Sequence, residues 1–206
     1  MVLYDFVAPI YDPVFRRIYQ PYRAHALELL PKQSGAVVLD LACGTGQNFP
    51  YLAARIGLRG KIIGTDLSSG MLRRARHNIK AAARENVTLL HLDARALSPN
   101  ILKAKTGENG VDFIVCTYGF TAIRDWELAF HRSFSVLKPG GGYLIHDIYA
   151  EKRTFHSWGV EKVTRTNLSR KVWSLLEKLC PDFHMEYIDP SKHLFGGRLF
   201  VAYGTK

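Results

Sequence analysis

The chain has 206 residues, 47% hydrophobic and 22% charged, a balance that fits a water-soluble globular protein with one substantial core. No apolar run approaches the roughly 18 residues of a membrane-spanning helix, and no long block of like charge marks a disordered binding tail. The formal net charge of +10 admits nucleic acid, an anionic membrane surface or an anionic substrate, and equally a set of solvated helix faces.

The opening M-V-L-Y-D-F has no basic segment leading into an apolar stretch, so no secretory signal is expected there. Tyr4–Leu30 turns helical in its second half, but Pro9, Pro13 and Pro21 break it into short pieces. Residues 1–34 therefore read as an N-terminal cap over the carboxyl end of a sheet, within a single domain of residues 1–206. Short aliphatic or aromatic runs follow at Ala36–Leu41, Lys61–Thr65, Val87–Leu92, Val111–Thr117 and Gly142–Ile148. Helical patterns fall at Asn48–Arg55, Ser69–Arg84, Asp125–Leu137 and Asn167–Leu179. This rhythm predicts an α/β fold with a doubly wound, mostly parallel sheet covered by helices on both faces. Phe183–Ile188 and Leu199–Tyr203 lie too close for a crossover helix, so they are expected to pair antiparallel.

The chemistry gathers at strand ends. The first strand runs into V-L-D-L-A-C-G-T-G, where Gly44 and Gly46 can take positive φ beside the start of a helix. The second ends in Asp66, placed to accept two hydrogen bonds from the hydroxyls of a ribose. The third ends in Asp93, whose side chain, with the backbone of Ala94, is placed to read an adenine edge. Each aspartate alone is as well explained as a helix N-cap. Consecutive strand tips beside a glycine corner point instead to a nucleoside site. A dinucleotide fingerprint needs a small residue where Phe49 stands, which disfavours a pyrophosphate.

V-L-D-L-A-C-G-T-G, I-I-G-T-D-L-S-S-G-M-L, L-L-H-L-D-A-R-A-L, T-Y-G-F and V-L-K-P-G-G resemble the successive motifs of class I S-adenosylmethionine-dependent methyltransferases. Y-D-F-V-A-P-I-Y-D and T-Y-G-F-T-A-I-R-D resemble the ubiquinone/menaquinone biosynthesis enzymes and the bacterial phospholipid N-methyltransferases. The resemblance implies a Rossmann-like seven-stranded sheet with an antiparallel last strand, and S-adenosyl-L-methionine as cofactor. It implies that Asp40, Ala42, Gly44, Thr45 and Gly46 hold the methionine part, with Ala42 where many members have glycine. Asp66 would hold the ribose, Leu67 and Met71 the adenine face, and Asp93 and Ala94 its edge. Thr117 and Tyr118 would lie beneath the sulfonium, and Tyr11 would reach the cofactor from the cap.

His146 and Asp147, at the end of the fifth strand, are the candidate catalytic residues with Tyr11, and His146 is a group that titrates near neutral pH in water. The expected acceptor is a small lipophilic molecule resembling a quinone precursor, with a phospholipid amine headgroup as the alternative. Nucleic acid is disfavoured, because no Asn/Asp-Pro-Pro-aromatic motif or Pro-Cys nucleophile is present. A non-catalytic scaffold on the same fold is the alternative of another class. Cys43, Cys116 and Cys180 show no metal or pairing spacing, so no metal and a cytoplasmic setting are expected. The mixture of aromatic and basic residues in 14–19 and 155–173 is compatible with peripheral contact at an anionic membrane.

Overall fold

The computed structural model describes residues 18–152, 154–189, 194 and 196–206. Seven strands form one sheet: β1 (Val37–Leu41), β2 (Lys61–Asp66), β3 (Val87–His91), β4 (Val111–Thr117), β5 (Leu137–Tyr149), β6 (His184–Tyr187) and β7 (Arg198–Thr205). Their spatial order is β3-β2-β1-β4-β5-β7-β6. The first five run parallel, and β7 is antiparallel to both β5 and β6. This is the expected Rossmann-like sheet with its antiparallel last strand. The order reverses between β1 and β4, and such a switch point opens a crevice beyond the strands' carboxyl ends.

Among the described residues, seven helices cover the two faces: α1 (18–28), α2 (Phe49–Ile56), α3 (Ser69–Ala81), α4 (Pro99–Thr106), α5 (Trp126–Val136), α6 (Phe155–Thr164) and α7 (Ser174–Leu179). Side chains alternate across a strand, so β1 sends Val37, Leu39 and Leu41 into one core and Val38 into the other. The first core is closed by Leu102 of α4, Phe130 of α5 and Leu176 of α7. The second is closed by Leu27 of α1, Leu52 of α2 and Leu72 of α3. Strands buried on both faces must be apolar throughout, which is why they stood out in the sequence.

The helices depart from expectation in three places. Asn167–Leu179 is helical only as α7, because the Asn167 side chain accepts from the Ser169 N–H and Oγ and holds a turn instead. Two helices were not anticipated. Ser98 caps α4 by accepting from the Ile101 N–H, and Gly107 closes it in the left-handed conformation. Thr154 and Ser157 form a reciprocal capping box at the start of α6. Within 155–173, Trp173 lies in the core against Tyr149 and Phe200, so it is not part of any exposed face. Trp158 is exposed, with the Lys162 ammonium over its ring. Among the described residues, no helix is long and apolar enough to cross a membrane.

Candidate functional site

The tips of β1, β2, β3 and β4 surround a cavity of about 390 Å³, within the size range of small-molecule sites. Its wall includes Ala42, Gly44 and Thr45 from the first tip, and Asp66, Leu67 and Met71 from the second. Asp93 and Ala94 come from the third, and Thr117 and Tyr118 from the fourth. Nine candidates widely separated in sequence thus meet on one surface with Thr45. Asp40 and Gly46 lie behind the wall, and Tyr11 lies outside the described residues.

The glycine corner divides its labour. Gly44 has φ +56°, and a Cβ added there would meet nothing within 4 Å, so its backbone borders open space. Gly46 has φ +81°, and a Cβ there would stand 2.3 Å from the Phe49 ring. That ring also sits against Gly64 of β2, so Phe49 fills the space between α2 and the sheet. Ala42 has φ +56°, a conformation costing about 1–2 kcal/mol for a residue with a side chain. The missing first glycine is therefore accommodated under strain.

Asp66 is fixed beside the corner: the Gly44 N–H donates to one carboxylate oxygen and the Ser68 N–H to the other, each at 2.8 Å. Ser68, not Asp66, caps α3, accepting from the Met71 N–H at 3.1 Å. Asp93 does cap a short 3-10 turn, accepting from the Arg95 N–H at 2.9 Å. The Arg95 guanidinium also grips both Asp93 oxygens and reaches Asp125 at 2.6 Å. These hydrogen bonds hold the Asp93 carboxyl below its ordinary pKa.

Beneath the corner lies a buried polar network that the sequence did not mark. Arg23 of α1, about nine-tenths buried, donates through Nη1 to Asn48 Oδ1 and Thr117 Oγ1, each at 2.5 Å. Asn48 Nδ2 donates to Asp40 Oδ1 at 2.8 Å. Burial pushes the Asp40 carboxyl up to about 7, against the lowering effects of Asn48 and the Arg23 charge. Among the described residues, three buried polar atoms have no partner: Arg23 Nε, Asp40 Oδ2 and Thr65 Oγ1. Arg23 and Thr65 belong to residues on the cavity wall. Open space at Gly44, an anchored carboxylate at Asp66 and unsatisfied polar atoms fit a polar nucleoside ligand.

His146 and Asp147 correct the sequence reading. Neither borders the cavity, and both are fully buried. His146 Nδ1 lies 2.7 Å from the Phe200 carbonyl, which can only accept, so Nδ1 carries the proton. Nε2 then accepts from the Tyr118 hydroxyl at 2.6 Å. Burial lowers the ring's pKa to about 3, so it does not titrate near neutrality. It anchors Tyr118, whose φ is +57° and whose ring packs on Tyr19 with centroids 4.4 Å apart. Asp147 accepts from the Thr121 N–H and hydroxyl at 3.2 and 2.9 Å and from the Ile148 N–H, fixing the loop after β4.

That loop brings further residues to the wall. Ala122, Ile123 and Arg124 line the cavity, joined by Arg165 from the end of α6. Arg23, Arg124 and Arg165 were not singled out from sequence, where they look like three of many scattered basic residues. Their placement depends on tertiary packing. Among the described residues, no group of three or more His, Cys, Asp or Glu side chains is arranged to hold a metal.

Comparison with known proteins bears on the family and the fold. Residues 38–141 match a family described as methyltransferase domain. A demethylmenaquinone methyltransferase of Listeria welshimeri is 28% identical over 143 residues, covering 68% of this chain and 58% of that protein. The chain thus spans less than two thirds of the length of such relatives. Phosphoethanolamine N-methyltransferase 2 of Haemonchus contortus, solved with S-adenosyl-L-methionine, superposes with a TM-score of 0.71 at 17% identity, covering 90% of this chain and 52% of that one. Geranyl diphosphate C-methyltransferase of Streptomyces coelicolor, solved with geranyl diphosphate and S-adenosyl-L-homocysteine, gives 0.73 at 13% identity, covering 92% and 80%.

Proposed function

The chain belongs to the methyltransferase domain family, and from that membership we propose that it transfers a methyl group from S-adenosylmethionine to a small lipophilic acceptor resembling a quinone precursor. One observation carries the cofactor: the anchored Asp66 carboxylate stands beside the open backbone of Gly44 on the wall of a single cavity. The acceptor class draws support from the demethylmenaquinone methyltransferase relatives and from the apolar wall of Ala122 and Ile123.

When bound, S-adenosylmethionine supplies a methyl already activated on a sulfonium sulfur, so the protein's work is orientation and exclusion of water. Asp66 would accept from the ribose hydroxyls. Leu67 and Met71 would cover the adenine face, and Asp93 and Ala94 its edge, with Arg95 holding the Asp93 carboxylate in place. Arg23 has a cationic group on the wall and a buried Nε without a partner among the described residues, and would take the carboxylate of the methionine end. Tyr118, held by His146 and packed on Tyr19, would form the floor under the reacting methyl. Among the described residues, the wall carries no histidine, and its carboxylates, Asp66 and Asp93, are already engaged. The described residues therefore act by holding and shielding the acceptor.

A second acceptor, the amine headgroup of a phospholipid, is favoured by the rim: Arg124 and Arg165 have no acidic partner among the described residues. Labelled-methyl transfer to lipid, quinone-precursor, amine and thiol pools tests the choice. Label in the quinone precursors supports the first reading and label in phosphatidylethanolamine the second. Label confined to soluble amines or thiols overturns both.

A further inference from the structure

We infer that α3 docks the protein on an anionic lipid surface, through a stripe formed by Arg73, Arg76, Lys80 and Arg84. This goes beyond the methyl-transfer reading and uses side chains outside the cavity.

The stripe follows from helical spacing. Arg73, Arg76, Lys80 and Arg84 stand at i, i+3, i+7 and i+11, so they fall along one side of α3 and the turn that ends it, with His77 among them. Arg73, Arg76, His77 and Lys80 are exposed, and Arg84 is half-buried. Leu72, Ala75 and Ile79 fall on the other side and pack into the second core. Asn78 Nδ2 donates to the Thr45 carbonyl at 3.1 Å, which ties the helix to the glycine corner. The first turn also carries Met71 onto the cavity wall, so the stripe begins beside the cavity.

Its charge is unbalanced. α3 contains no acidic residue, and the nearest along the chain are Asp66, held by two backbone N–H groups, and Glu85. None of the four cations has an acidic partner among the described residues, whereas Lys61 of β2 is matched by Glu108 and Arg95 by Asp93 and Asp125. Like charges three or four positions apart destabilise a helix, so α3 holds these cations against its own stability. An anionic surface relieves that repulsion.

A lipid surface fits this face better than a nucleic acid does. α3 is seated on the sheet along its apolar side, so it offers one flank rather than a free cylinder to a groove. The stripe has no Phe, Tyr or Trp on which bases would stack. Its exposed apolar neighbours are Ala81, Ala82 and Ala83, too small to insert among acyl chains, so the contact is electrostatic. A lipophilic acceptor resides in a bilayer, and the choice of lipid rests on that reading of the acceptor. The sequence alone points to 14–19 and 155–173 for such contact, because there basic residues alternate with aromatic ones.

The test is sedimentation of the full chain with vesicles of phosphatidylcholine, alone or mixed with phosphatidylglycerol. Wild type should pellet only with the mixed vesicles, and added salt should release it. The Arg73→Gln/Arg76→Gln/Lys80→Gln variant should bind them at least about tenfold more weakly. A Lys103→Gln/Lys105→Gln/Arg132→Gln variant removes the same charge from α4 and α5 on the opposite face, and should bind within about twofold of wild type. Affinity for S-adenosylhomocysteine should be unchanged in both variants. Equal loss in the two variants overturns the inference, because net charge alone would then explain the binding. Equal pelleting with phosphatidylcholine alone, or no pelleting with either vesicle, overturns it as well. A chain that ignores both vesicles and binds mixed-sequence RNA through the α3 arginines overturns it in favour of nucleic acid. Failure of the wild-type chain to bind S-adenosylhomocysteine removes the methyl-transfer reading and leaves the vesicle result to decide the docking face.

Discussion

Arg23 Nη1 and Asn48 Oδ1 meet at 2.5 Å, joining the helix that precedes the sheet to the residue that opens α2. The contact turns a surface-type residue into the cationic edge of the cavity, and it ties the position of α1 to the glycine corner. Replacing Arg23 by Met should weaken S-adenosylhomocysteine about 10–100-fold, as expected for a lost hydrogen bond to a charged group. Binding of 5′-methylthioadenosine, which lacks the carboxylate, should hardly change. Calorimetry with both ligands checks this, and an equal loss for the two would show that Arg23 only supports the fold.

The two corner glycines should respond differently. Gly46→Ala puts a methyl into the Phe49 ring at a positive φ, and should destabilise by about 2–4 kcal/mol in urea unfolding. Gly44→Ala meets open space and should cost only the backbone term, about 1–2 kcal/mol, while weakening S-adenosylhomocysteine strongly. If the Gly44 variant binds the ligand normally, the corner does not face it.

Asp66→Ala should weaken S-adenosylhomocysteine by about 1.5–3 kcal/mol, because it removes the charged acceptor proposed for the ribose. Affinity equal to wild type would place the ribose elsewhere.

Buried ionisable groups set the pH dependence of stability. Asp40 titrates near 7 in the folded chain against 3.8 in its ordinary state, so its contribution is full below about pH 4 and is lost as pH rises through 7. Asp147, raised to about 6 by burial, acts in the same direction. His146 acts oppositely: lowered from 6.5 to about 3, it contributes fully above about pH 6.5 and loses that contribution as pH falls toward 3. From pH 5 to pH 8, the stability of Asp40→Asn should therefore gain about 1–3 kcal/mol relative to wild type. Parallel urea profiles for the two proteins across that range would refute the assignment.

The sheet was legible because double burial forces continuous apolar runs, and short loops at the end leave only an antiparallel pairing. The residues of the cavity wall were legible because they sit at strand tips, where position along the chain fixes position in space. α4 was missed because its apolar signal is one buried residue, Leu102, although Ser98, Pro99 and Gly107 mark its start and stop. His146 was misread for a different reason. A strand-end position locates the backbone, but the ring's engagement with Phe200 and Tyr118 is decided by β7 packing alongside. Arg23 and Asn48 carry no local signature of burial, since the helix that covers the corner decides it.

The family match ends at residue 141 and begins at 38, yet the cavity draws Arg23 from before that interval and Arg165 from after it. Gly44, Asp66 and Asp93 all fall inside. A variant library confined to residues 38–141 would therefore leave two cations of the cavity wall, Arg23 and Arg165, untouched.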